Sequence, residues 1–129
     1  MNDYMLRILN GGAAQNDWPK EKHLEFVKKC EVYIKDLQAR GQLIAAQPLA
    51  PQGFVLSRSG RQWSEHALDV HTEVQVGYYL VRAENVAAAV EIAKGNPEFE
   101  YSDAARVEVR PLKAEEAISG YAYPTLKPA

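Results

Sequence analysis

What this chain has little of narrows it before any motif is read. Its 129 residues include one cysteine, Cys30, so no disulfide can form within it. No apolar run approaches the roughly 18 residues of a membrane-spanning helix. The opening MNDYMLRILN has neither a basic n-region nor an apolar h-region, and predicts no cleaved export signal. With a lone thiol, the expected setting is reducing and cytoplasmic. An excess of one charge is missing too: 15 Lys and Arg against 17 Asp and Glu leave a net charge of -2. No global field would draw in nucleic acid. Neither an internal repeat nor a low-complexity segment is present.

What is there reads as one domain large enough to bury a core without staples. YMLRIL (4–9) is a short apolar run suited to a buried strand, and NGGAAQND (10–17) breaks regularity. Asp17 is placed to cap a helix, with Pro19 in its first turn. Leu24, Val27, Cys30, Ile34 and Leu37 then mark one face of a long helix, which Gly41 ends. That places Cys30 as a buried, inert thiol. QLIAAQ (42–47) is a strand, and FVLSRSGRQWS (54–64) a hairpin turning at Ser59-Gly60. VGYYLVRA (76–83) is a third core strand. Asn85 caps a helix over 86–94, closed by Gly95, and ARVEVRPL (105–112) is the last strand. The tail, 113–129, offers Tyr121, Tyr123 and Leu126 for packing.

The order predicts an α+β fold: a ferredoxin-like βαββαβ plan with a β-hairpin inserted at mid-chain. Two helices cover one face of such a sheet. Tyr79 and Val81 point to one side of their strand, Tyr78 and Leu80 to the other, so both faces read as apolar. The uncovered face predicts a partner, most simply a second copy forming a homodimer.

GQLIAAQPLAP (41–51), VGYYLV (76–81) and ARVEVRPL (105–112), in this order and spacing, resemble the YCII-related family, whose larger branch is the DGPF group. The resemblance covers most of 4–112. It implies a dimeric α+β barrel with a cleft between two facing sheets. It also implies a distant relation to small enzymes such as muconolactone isomerases and a dehydrochlorinase; most members have no established reaction. Counting back from Gly77, the family's Asp-Gly-Pro-Phe signature falls on Glu65, His66, Ala67 and Leu68, so its middle is changed here. A glutamate of the family matches Glu73. A histidine early in helix one, proposed as catalytic in the shorter branch, corresponds to His23.

SEHALDVHTEV (64–74) gathers two histidines and three carboxylates. Read as one extended segment, it puts Glu65, Asp69, His71 and Glu73 on one face, and His66, Leu68, Val70 and Val74 on the other. Neighbours on one strand face lie about 6.6 Å apart and next neighbours about 13 Å. Donors ~2 Å from a single zinc ion cannot all come from such a strand, so no metal or other cofactor is expected. A histidine oriented by a carboxylate asks for less. His66, Asp69 and His71 are therefore the catalytic candidates for proton transfer of isomerase or lyase type. His23, Glu65, Glu73, Tyr78 and Tyr79 are the ligand-binding candidates. The competing reading is a non-catalytic small-ligand-binding or regulatory module. Nucleic-acid binding is not expected, because the aromatic strand lacks the basic residue of an RNA-binding strand motif.

Overall fold

The structure, a computed structural model, describes residues 1–124. Six strands and three helices follow in the order β1 (Asn2–Gly11), α1 (Lys20–Ala39), β2 (Leu43–Pro48), β3 (Phe54–Ser59), β4 (Gln62–Ala67), β5 (Glu73–Ala83), α2 (Val86–Lys94), α3 (Glu98–Tyr101) and β6 (Arg106–Pro111). Four strands form one antiparallel sheet in the order β2-β5-β1-β6, an α+β arrangement compatible with the ferredoxin-like plan. No helix among the described residues is long and apolar enough to cross a membrane.

The alternation of β1 decides where the core lies. Tyr4, Leu6 and Ile8 are buried on the helix side, opposite Val81, Tyr79 and Gly77 of β5. Leu37 of α1 and Ala89 and Ala93 of α2 close the core from above. The alanines matter because small side chains let α2 lie close to the sheet. Asn85 starts that helix as expected, its side chain accepting the Ala88 N–H at 2.9 Å. Gly41 ends α1 at φ +68°. The Gly41 N–H reaches the Gln38 carbonyl and the Gln42 N–H that of Leu37, the paired bonds of a Schellman motif.

Two local expectations fail. Asp17 does not cap α1: residues 12–17 are turns, Pro19 holds the cap position, and no side chain caps the end. Trp18 fixes the approach instead. Its ring lies 5.4 Å from both Phe26 and Tyr101, anchoring the first turn by aromatic packing. The single extended segment over 64–74 is also interrupted. β4 stops at Ala67, residues 68–72 turn, and β5 begins at Glu73. The side chain of Asp69 causes the break, because its carboxylate accepts the His71 N–H at 3.0 Å and its carbonyl accepts from Thr72. The alternation of faces assumed across this stretch therefore does not hold.

The apolar stripe of α1 is buried unevenly. Leu37 is fully packed, Ile34 and Cys30 are half-buried, and Val27 and Leu24 are exposed. Toward its N-terminus the helix leaves its apolar side chains unburied. β3 and β4 pair only with each other as a separate two-stranded sheet, and every residue in both is exposed. In the tail, Glu115 bridges Ala122, and the rings of Tyr121 and Tyr123 meet edge to face. Leu126 lies outside the described residues.

Candidate functional site

Val27, Cys30 and Ile34 of the α1 stripe face a cavity of about 690 Å³ between that helix and the sheet. Its size falls within the range of small-molecule sites. Ile8, Val74 and Val76 contribute from the sheet, and Val27, Cys30 and Ile34 from the helix. The loops 11–16 and 48–51 supply the sides. Two glycines allow these parts to approach. A Cβ on Gly77 would lie 3.0 Å from the Gln47 carbonyl oxygen, and one on Gly12 would lie 2.8 Å from the Val70 Cβ.

Polar groups converge where α3 meets β1. Asn10, Asn96 and Glu98 are all buried there. The Asn10 side-chain oxygen Oδ1 accepts the Gly11 N–H at 2.9 Å and the Ser102 hydroxyl at 3.3 Å. The same side chain neighbours the Glu98 carboxylate. The Asn96 side-chain oxygen accepts the Glu98 N–H at 2.8 Å, which fixes the first residue of α3. Burial raises the Glu98 pKa, and the Asn10 bond opposes this in part. Burial likewise pushes the Cys30 thiol up to about 11, with the Glu98 charge adding to it, so the sulfur stays protonated at neutral pH. The phenols of Tyr33 and Tyr79, ring centroids 5.3 Å apart, are raised by burial as well.

The candidates read from sequence are divided by this geometry. His23, Tyr78 and Tyr79 line the cavity. Glu65, His66, Asp69, His71 and Glu73 do not, although Leu68 between them does. His66 and Glu65 sit on the exposed β4 strand, opposite Val55 and Leu56. Glu73 turns to Arg106 through two bonds of 2.8 and 2.6 Å, and this pairing lowers its pKa. Asp69 binds the backbone of His71 rather than its ring. Among the described residues, neither imidazole takes part in a side-chain hydrogen bond or ion pair, and no three His, Cys, Asp or Glu side chains are grouped to hold a metal ion.

Sequence reading passed over Asn10, Asn96 and Glu98. The stretch Asn96-Pro97-Glu98 carries a helix-start pattern, and the Asn96 bond fulfils it. A glutamate in a first helical turn is ordinarily solvated, so its burial was not visible in the pattern.

A four-stranded antiparallel sheet compatible with the ferredoxin-like plan, with a cavity under its first helix, defines a small α+β domain. A YCII-related domain model matches residues 4–113, and the chain belongs to that family. No curated protein matches the chain.

Proposed function

We propose that this YCII-related protein binds a small organic molecule in the cavity between α1 and the sheet. One observation carries the reading: a largely apolar space of about 690 Å³ with a few buried polar groups converging at one end. Between the two functional readings, the geometry favours a binding module. The exposed His66 and His71 stand outside the lining and have no carboxylate partner among the described residues. Acid–base catalysis keeps one foothold in His23, which lines the same cavity from α1.

The functional unit we propose is a homodimer closed over the sheet face opposite the helices. Met5 and Leu80 are only half-buried in the single chain. The charges among them are already paired, Asp3 with Arg82 at 2.8 Å and Arg7 with Glu108 at 2.9 Å. Apolar bulk between neutralised charges suits a protein interface better than free solvent. Sedimentation of wild type and Leu80→Arg tests this: a wild-type dimer that the arginine dissociates is expected, and a wild-type monomer at high concentration removes the idea.

The binding reading is tested by titrating a library of small neutral and charged aromatic compounds against the isotope-labelled protein. Shift changes are expected at Val27, Cys30, Val76 and Gly77. Val27→Trp, which fills the cavity from the exposed side of α1, is expected to abolish them. Changes confined to β3, β4 or the open sheet face would place the site elsewhere.

A further inference from the structure

The cavity is one-sided in charge. Its lining includes two carboxylates, Glu31 and Glu98, and one imidazole, His23, but neither lysine nor arginine. Glu98 is the unusual member. It is 7% exposed, and among the described residues no cationic side chain pairs with it. A buried carboxylate in that condition is unfavourable unless a cation joins it or it takes up a proton.

Asn10 indicates which completion the site is built for. Its side-chain oxygen accepts from the Gly11 N–H and the Ser102 hydroxyl, and the same side chain neighbours Glu98. Asn10 opposes the effect of burial in part and so favours the charged carboxylate. The Asn96 oxygen is committed to the Glu98 backbone N–H and does not compete. Phe26 and Tyr79 line the same space, and aromatic rings attract cations.

We propose that the ligand is an organic amine with an apolar body, its ammonium group paired with the Glu98 carboxylate. The body lies among Val27, Ile34 and Val76. The assignment rests on the cavity being the binding site, and adds to it the charge of the ligand and the residue that selects it.

Three families of probes of matched shape test it by calorimetry: tryptamine, phenethylamine and octylamine, each with its corresponding alcohol and carboxylate. In at least one family the amine is expected to bind roughly tenfold more tightly than its alcohol, the worth of one charge-assisted bond. The carboxylate is expected to bind most weakly. Glu98→Gln should bring the amine down to its alcohol's affinity and leave the alcohol unchanged. Alcohols that bind as well as amines, or carboxylates that bind better, overturn the charge assignment while leaving the cavity reading intact. An amine preference that survives Glu98→Gln overturns the role of Glu98. Failure of all nine compounds to compete with Val27→Trp-sensitive ligands overturns the amine assignment, and the absence of any such ligand overturns the cavity itself. Should Glu98→Gln fail to fold, the wild-type ranking of amine, alcohol and carboxylate decides alone.

Discussion

Two polar clusters in this molecule are built in opposite ways. Residues 64–74 hold their titratable groups close together along the chain, yet the fold spreads them out and leaves them in water. Asn10, Cys30, Tyr79 and Glu98 are far apart along the chain, yet they meet around one cavity and three of them are buried. The contrast shows that density in sequence is a weak guide to convergence in space. A short stretch rich in Asp, Thr and His readily satisfies its own backbone, as Asp69 does, and a turn forms where a site was expected. Residues brought together by a sheet and two helices are held by the whole core, and they keep their geometry without solvent.

The comparison is broken most forcefully at the floor of the buried cluster. Tyr79 is almost fully buried, packs edge to face on Tyr33 and sits opposite Leu6 in the sheet. Tyr79→Ala is expected to cost about 3–5 kcal/mol in denaturant unfolding, the range for removing a large ring from a core. A loss below ~1 kcal/mol would mean that the cavity end is not part of the packed core. Gly77→Ala comes next. Its new methyl meets the Gln47 carbonyl at 3.0 Å and the Pro48 Cα at 3.2 Å, both backbone atoms of the neighbouring strand. About 1–3 kcal/mol of overpacking cost is expected, read from the same unfolding curves.

Glu98→Gln sharpens the contrast through pH. Burial raises the folded-state pKa of Glu98 above its ordinary value, so the native state binds this proton more tightly than the unfolded chain. Stability from this group is therefore complete below the ordinary carboxylate pKa and is lost as pH rises toward the folded value. The glutamine variant lacks that loss. Its melting temperature is expected to match wild type in acid and exceed it by roughly 2–5 °C at neutral pH. A variant less stable than wild type at neutral pH would mean that the ionised carboxylate has a cationic partner after all.

Much of this fold was legible because it follows from periodicity. The alternation of β1, the stripe of α1, the Asn85 cap and the Gly41 terminus each have a local cause that the chain displays. What escaped reading has long-range causes. The stripe from Leu24 to Leu37 looks uniform, but its burial depends on how closely the sheet approaches it, so part of a predicted core face, Val27, Cys30 and Ile34, is a cavity wall. Trp18 replaces the expected Asp17 cap because two distant rings, Phe26 and Tyr101, receive it. Tyr79 and His23 were singled out and do line the cavity; Glu98 was not, because no local pattern distinguishes a buried acid in a first helical turn from a solvated one.

The smallest effect falls on the cluster that the sequence made most conspicuous. His66 and His71 are exposed and unpaired among the described residues, and surface substitutions away from caps and networks usually change stability by no more than about 0.5 kcal/mol. The double variant His66→Ala/His71→Ala is expected to melt with wild type and to keep wild-type affinity for every compound whose binding Val27→Trp abolishes. Asp69→Ala supplies the control within the same stretch. It removes a bond to the His71 backbone and should cost about 0.5–1.5 kcal/mol, more than the two imidazoles together. If the double histidine variant instead loses ligand while remaining folded, the exposed cluster must gain cover that the single chain does not provide. A second copy closing over the molecule would then be completing the site. Acid–base chemistry at His66 and His71 would regain its footing over plain binding.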